Sequence, residues 1–478
     1  LQAPKEYFQQ GSIAFLPHNV YAGMPLSVEM LHLLGMEVLD DWWTGALAGQ
    51  LLVAFFAPTT AILIARTIWR CVSPRAAWCA AVIYLTTPWV YRLAVIPYVE
   101  GPLCCYHAAL LALALRAGTT DPPDRERLWG VAGLLAGGAM ACKYPALVSA
   151  VVPFGVLAVV AAVRHRSARI VLAFLAGWAV VMVPWLTRNV MDTGNPVYPL
   201  GYRVFGGRHW DADQDAKWWR AHGPRPIAAK ALAAAVVDIS GRSDWQSPLY
   251  AALAPLALLR RGSRRLVLAL WAYVVYLFLT WWLLTHRLDR FWIPLLPALA
   301  MLASIGADAI RRTAWTLLLA AVMAVSILSN LAYIATVLCG LNEWTKDYRA
   351  LRAQVPETLN PSLAQLNAVL PPGSKVLLVG QAAVFYIDHP LVYNTVFNHE
   401  TIETLARGRS PDQVRRALRE RGITHVYVDW AEIARYRSPG HYGFTPFVTP
   451  ELFASLVNAG VLEPPVPIGE AQRLYRVR

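Results

Sequence analysis

Ionisable residues gather at a few points between long apolar runs of this chain, and their types suit the handling of an anion. Glu100 follows Arg92 and Pro97-Tyr98-Val99 and opens an apolar run in which Cys104 and His107 recur at helical spacing. A carboxylate so placed could bind a divalent metal, with His107 as a second ligand, or orient an acceptor as a catalytic group; the alternative is an interfacial anchor paired with Arg92. Lys143-Tyr144 stands at another such point. Its ammonium could hold a phosphate with Tyr144 at headgroup level, or simply snorkel to the interface. Arg188-Asn189 leads into Gly194-Asn195-Pro196-Val197-Tyr198-Pro199, where Gly and Pro impose tight turns that hold polar side chains in place or make only a loop. The densest group is His286-Arg287-Leu288-Asp289-Arg290-Phe291, followed by Pro294 and Pro297. The planar fork of arginine matches phosphate oxygens, so Arg287, Asp289 and Arg290 read as a phosphate site, against the alternative of a salt bridge among the three.

What must position these groups is a membrane bundle. Only 15% of the residues are charged and 56% are hydrophobic, with mean hydropathy +0.40. Soluble chains are about 25% charged, which sets this one apart from an ordinary cytosolic enzyme. Crossing the hydrocarbon takes about 20 mostly apolar residues, and ten candidate spans follow: 44–65, 76–94, 99–115, 129–143, 145–163, 168–187, 247–260, 266–285, 290–310 and 314–338. Short loops on one side then carry Arg66, Arg70 and Arg75; Arg116, Arg125 and Arg127; Arg164, Arg166 and Arg169; Arg260, Arg261, Arg264 and Arg265; and Arg311 with Arg312. Cytoplasmic loops carry such excess, so both Leu1 and Arg478 fall outside the cytoplasm. Reading Lys143-Tyr144-Pro145 as a kink in one long helix would split these clusters between the two sides. The asymmetry also explains most of the net charge of +13 and pI near 9.6. The positive charge sits in hairpin loops rather than on one folded face, so no nucleic-acid partner is expected.

The six cysteines, Cys71, Cys79, Cys104, Cys105, Cys142 and Cys339, show neither disulfide-framework nor zinc spacing. The expected organisation is an extracytoplasmic loop with a juxtamembrane helix over 1–43, a bundle over 44–339 with a long extracytoplasmic loop at 188–246, and an extracytoplasmic α/β domain over 340–478. In the last, Lys375 to Gly380 and Thr424 to Asp429 read as buried strands, and Pro411 to Glu420 and Pro450 to Asn458 as helices. Gly380-Gln381-Ala382 does not make the glycine pattern of a dinucleotide site. Residues 25–36 predict an interfacial helix with Leu26, Met30, Leu33 and Leu34 on one face.

Taken together, Pro25 to Met36 running into Asp41-Trp42-Trp43 and a long span, Tyr98-Val99-Glu100, Lys143-Tyr144, Arg188-Asn189 with Gly194 to Pro199, and His286 to Phe291 with Pro294 and Pro297 resemble the C-type glycosyltransferases. The nearest likeness is to bacterial aminoarabinose transferases and protein O-mannosyltransferases, and it covers nearly the whole chain. The resemblance implies a polytopic α-helical membrane bundle, its first span missing here, with a C-terminal extracytoplasmic small α/β domain. It implies an enzyme of the bacterial inner membrane that moves a sugar from a polyprenyl-phosphate carrier to a lipid, glycan or protein acceptor by inverting transfer, sometimes with a divalent metal. Glu100 then takes a catalytic or metal role, and Lys143, Tyr144, Arg188, Asn189, Arg287, Asp289 and Arg290 bind substrate. Two departures stand out. The acidic catalytic residue of these enzymes falls upstream of Leu1, and their Lys-Pro-Pro appears as Gly23-Met24-Pro25. A transporter or flippase of lipid-linked sugars is the competing reading, although such proteins tend to show paired repeats and interrupted helices near the midplane.

Overall fold

A computed structural model of the chain describes residues 1–117, 122–243, 245–309, 313–338, 352 and 360–478. Arg311, Arg312, Cys339 and most of 340–359, all used in the sequence reading, lie outside the described residues. The chain divides into two compact units, one of Pro25–Arg188 with Gly223–Thr345, the other of Leu1–Met24, Asn189–His222 and Lys346–Arg478.

The larger unit is helical. Among the described residues, six helices are long and apolar enough to cross a membrane: Trp42–Cys71, Leu147–His165, Arg169–Thr193, Arg261–Leu284, Asp289–Ala307 and Thr313–Val337. Pro88–Val95 and Glu100–Ala117, bent by 118° at the break between them, make a seventh if taken as one span. The expected spans at 76–94 and 247–260 correspond to shorter pieces. The first is divided between Pro74–Leu85 and Pro88–Val95, because Pro88 supplies no N–H to continue the ladder. The second is the apolar stretch Leu249–Leu259. At Lys143-Tyr144-Pro145 the helix Pro122–Cys142 ends, and a new helix starts beyond it at Leu147. The chain is a multi-pass membrane protein.

Glu29–Leu39 is a helix, as expected over 25–36, but its faces differ from the pattern read there. Leu26, Leu33 and Met36 are buried whereas Leu34 and Val38 are exposed, so the expected apolar face is divided between a packed side and an outward side. The packed side is set by glycine. A Cβ on Gly35 would meet the backbone of Gly45, and one on Gly49 the backbone of His32, so only glycine lets this helix lie against Trp42–Ala54. Asp40, in the left-handed region at φ 49°, turns the chain between them. At other helix ends, Arg260 donates to both the carboxylate and the carbonyl of Asp308, and Ser73 Oγ donates to the same carboxylate at 2.9 Å.

The smaller unit contains a five-stranded sheet of β1 (Val376–Val379), β2 (Leu391–Val392), β3 (His425–Asp429), β4 (Val466–Pro467) and β5 (Gln472–Arg476), ordered β2-β1-β3-β5-β4. β2, β1 and β3 run parallel, and β5 pairs antiparallel with β3 and β4. Both faces of β1 are covered. Leu377 and Val379 pack under the helices Thr401–Ala406, Pro411–Glu420 and Pro450–Asn458, while Val376 and Leu378 pack with Leu363 and Leu366 of Pro361–Val369. Burial on both faces is why these strands read as unbroken apolar runs. Ser410 and Gln413 cap Pro411–Glu420 reciprocally.

The segments expected as separate loops at 1–43 and 188–246 contribute their parts 1–24 and 189–222 to this same unit. Val20, Tyr198, Trp210, Trp218 and Phe397 form one core drawn from all three pieces. Lys5, 2% exposed on the helix Gln2–Gln10, donates to the carbonyls of Phe385 at 2.7 Å and Ile387 at 2.8 Å. Glu6 accepts from Tyr393 Oη at 2.7 Å and lies 2.9 Å from His18 Nε2. Burial alone would raise the Glu6 carboxyl, but the hydrogen bonds from His18, Tyr393 and Gln2 more than offset it and hold the group below its ordinary range.

Candidate active site

Three of the sequence-predicted residues meet at helix ends of the larger unit. Glu100 begins the helix Glu100–Ala117, where the N-terminal dipole favours a carboxylate. Lys143 follows the end of Pro122–Cys142, where a cation is favoured, and Pro145 prevents the helix from running on. Arg290 lies in the short 3-10 stretch Asp289–Leu295 ahead of Leu296–Ala307. Lys143 Nζ donates to Glu100 Oε1 at 2.8 Å, and Arg290 Nε stands 3.6 Å from the same oxygen. Glu100 is 3% exposed, Lys143 17% and Arg290 33%, so the buried carboxylate holds two cations of which Arg290 reaches furthest toward solvent. Arg290 also lies over the Tyr98 ring at 4.4 Å, and Lys143 Nζ sits 3.3 Å from the centre of the Phe291 ring. The terminal nitrogens of Arg290 make no hydrogen bond among the described residues.

One charge of this group escaped the sequence reading. Glu29, in the first turn of Glu29–Leu39, has its Oε2 shut away from solvent without a hydrogen-bond partner among the described residues. Burial raises the pKa of this carboxyl, and the nearby charge of Glu100 acts in the same direction. The available signal was an acidic residue opening the juxtamembrane helix, four positions after Pro25.

The other expected residues go elsewhere. Arg287 folds back on its own helix end, donating to the Trp282 carbonyl at 2.9 Å and, from its terminal nitrogens, to the carbonyls of Pro226 and Arg225. Its guanidinium lies 3.5 Å from the Trp282 ring centre, and its backbone is left-handed at φ 59°. Asp289 is exposed and pairs with neither arginine among the described residues, so the expected cluster of Arg287, Asp289 and Arg290 does not form. Arg92 stacks on Trp245 at 4.0 Å, leaving Glu100 to Lys143 and Arg290 instead of the expected anchor. Arg188 lies over Trp185, and Tyr144 is buried. Asn189 is 2% exposed and spends its amide on the carbonyls of Gly23 at 3.0 Å and Pro196 at 3.3 Å, which suits a turn-holding residue rather than a substrate ligand. Within the same turn Asn195 donates to the carbonyls of Leu200 and Gly206, so the Gly194 to Pro199 motif organises the smaller unit.

The divalent metal expected at Glu100 and His107 does not fit these two residues. His107 is fully buried, with Nδ1 2.5 Å from Tyr273 Oη and Nε2 3.3 Å from Ser149 Oγ, so both ring nitrogens are engaged. Among the described residues no three His, Cys, Asp or Glu side chains are grouped to hold a metal, and the carboxylate is flanked by cations.

Residues 25–187, which contain Glu29, Glu100 and Lys143, match the family described as dolichyl-phosphate-mannose-protein mannosyltransferase. No curated protein matches by sequence. Among solved structures, apo ArnT from Cupriavidus metallidurans aligns at TM-score 0.63 with 15% identity, over 99% of this chain and 91% of that one. The same protein bound to undecaprenyl phosphate aligns at 0.60 with 13% identity, over 99% and 92%. The arabinofuranosyltransferase AftD from Mycobacteria aligns at 0.53 with 15% identity, over 99% of this chain and 37% of that one. The chain therefore has the fold of the C-type membrane glycosyltransferases.

Proposed function

We propose that this protein transfers a sugar from a polyprenyl-phosphate carrier to an acceptor outside the cytoplasm. The observation that carries the reading is the buried Glu100 carboxylate, which fixes two cations and leaves the Arg290 fork open toward solvent. Two cations stand at one carboxylate oxygen, and the Arg290 fork left over is suited to a phosphate. In the ArnT complex that shares this fold the bound lipid is undecaprenyl phosphate. As the bond between the anomeric carbon and the phosphate oxygen breaks, negative charge grows on the phosphate. Arg290 and Lys143, already held in place, stabilise that charge without reorganising. The acceptor hydroxyl attacks the opposite face of the sugar and gives up its proton. Glu29 is a second carboxylate near the site, and its raised pKa suits a proton acceptor.

Sidedness follows from the same helix. Glu100 and Arg116 lie at opposite ends of Glu100–Ala117, roughly 24 Å apart at about 1.5 Å per residue. The site is therefore at the end remote from Arg116 and from Arg125 and Arg127 in the first turns of Pro122–Cys142. We read the basic residues as cytoplasmic, which supports a site and a C-terminal α/β domain outside the cytoplasm, and we take the membrane to be a bacterial inner membrane.

The test is transfer of radiolabelled sugar from a polyprenyl phosphate by the full-length protein in vesicles. Parent protein should form labelled acceptor, and Glu29→Gln should lower turnover more than donor binding. Movement of label across the bilayer with no sugar transferred would reject the enzyme in favour of a translocator.

A further inference from the structure

The smaller unit holds an open cavity of about 610 Å³ between the helix Gln2–Gln10 and the outer edge of the sheet at β2. Its size is that of a site for a small molecule, and nothing in the transfer chemistry above uses it. Amides and carboxylates dominate one wall, with Gln2, Glu6, Gln9 and Gln10 presented by the helix and Asp388 facing them from the loop before β2. Pro390, Leu391 and Val392 give the other wall a partly exposed apolar strip.

Three features select the ligand. The polar groups are fixed in advance: Glu6 accepts from Gln2 Nε2 at 3.0 Å and from Tyr393 Oη at 2.7 Å, with His18 at 2.9 Å, so its carboxylate is held before anything binds. The basic groups of the lining are already engaged. Lys5 aims its donors at the carbonyls of Phe385 and Ile387, His18 is held by Glu6 at 2.9 Å, and His389 Nε2 lies 3.4 Å from the Asn367 carbonyl, so among the described lining residues an anion finds no cation held ready for it beside Glu6 and Asp388. Burial lowers the Lys5 ammonium to about 8. Finally, amides and carboxylates can each engage two neighbouring hydroxyls while the apolar strip covers a face of C–H groups. A sugar ring offers that combination of edge hydroxyls and an apolar face.

We propose that this cavity is a saccharide-binding site, separate from the Glu100 group, that takes one or two uncharged or amine-bearing sugar units. It rests on the transfer reading only for its purpose, which is to hold the glycan part of the acceptor. Binding itself stands apart from that reading.

The test is isothermal titration of the full-length protein, in a detergent without a sugar headgroup, with cellobiose, chitobiose, glucosamine and glucose 6-phosphate. At least one of the first three should bind, and glucose 6-phosphate about tenfold more weakly or not at all. Asp388→Asn and Gln9→Trp, the latter an exposed rim position where a bulky ring blocks entry without disturbing the fold, should each weaken binding at least about tenfold. Arg290→Ala should leave it unchanged. Absence of binding by all three sugars at millimolar concentration would overturn the proposal. So would equal binding of the phosphate, indifference to both cavity variants, or binding of an extended peptide along the β2 edge in place of sugar. Sugar binding by a protein that transfers nothing would overturn the transferase reading and leave this one standing.

Discussion

Replacing Lys143 by Met should destabilise the larger unit severely, and replacing Glu100 at the same time should recover most of the loss. Glu100 is 3% exposed and Lys143 17%, with 2.8 Å between them, so each has given up most of its hydration for the other. Breaking a buried pair by removing one partner costs about 3–5 kcal/mol, because the remaining charge is left in a poor solvent. Arg290 Nε at 3.6 Å still faces Glu100 in the Lys143→Met protein, which places that variant near the low end, about 3 kcal/mol. Glu100→Gln leaves two more exposed cations facing a neutral amide and should cost about 2–3 kcal/mol. In Glu100→Gln/Lys143→Met neither buried charge remains, and the total should fall to about 1 kcal/mol or less. The coupling between the two substitutions is then about 4–5 kcal/mol. Denaturant unfolding in mild detergent, followed by tryptophan fluorescence for all four proteins, measures it. If the double variant loses the sum of the single losses to within about 0.5 kcal/mol, the two groups are not held by each other and the argument for a charge-fixed site fails.

Arg290→Ala should weaken donor binding about 10- to 100-fold, as expected for one charge-assisted phosphate contact, and Arg290→Lys nearly as much. Arg287→Ala, whose guanidinium is spent on carbonyls, should leave donor affinity unchanged in the same titration; equal losses at both positions would refute the assignment. Glu400, 6% exposed, is raised by burial to about 7 against the opposing hydrogen bond from Asn394. Its unfolded form releases the proton near pH 4.5 and its folded form near 7, so stability present below pH 4.5 is lost as pH rises through 7, by at most about 3 kcal/mol. Unfolding of the full chain between pH 4 and 8 should show that decline, and Glu400→Gln should flatten it. For topology, single-cysteine reporters near Arg116 and Arg164 should be shielded from an impermeant thiol reagent added outside, and one at Ser410 should react; labelling at Arg164 but not at Ser410 would overturn the arrangement.

Much of the architecture could be read from the sequence because apolar length and charge sidedness are local properties of the chain. The long apolar runs, the strands at 376–379 and 425–429 and the helices at 411–420 and 450–458 all follow from periodicity within a dozen residues. Glu100, Lys143 and Arg290 stood out for the same reason, since an ionisable group at the mouth of an apolar run is visible without knowing its neighbours. What each charge touches was not visible. Arg287 and Arg290 are three residues apart and similar in type, yet one turns back to carbonyls and Trp282 and the other reaches Glu100. The left-handed backbone at Arg287 and the short 3-10 turn after Leu288 send them in different directions, and neither leaves a pattern in composition. The metal reading of His107 failed likewise, because helical spacing aligned it with Glu100 while packing supplied Tyr273 and Ser149 as partners.

The sequence by itself determined that this protein crosses a membrane and where ionisable residues stand between its apolar runs. Only the tertiary structure decided that a carboxylate at residue 100 fixes cations from residues 143 and 290, that Glu29 adds a buried carboxylate there, and that residues 1–24, 189–222 and the C-terminal part share one core. The physical reason is distance along the chain. A hydropathy or charge pattern is written in neighbouring residues, whereas an ion pair or a shared core depends on helix ends brought together by glycine-permitted close packing and by turns whose backbone angles the side chains alone do not announce.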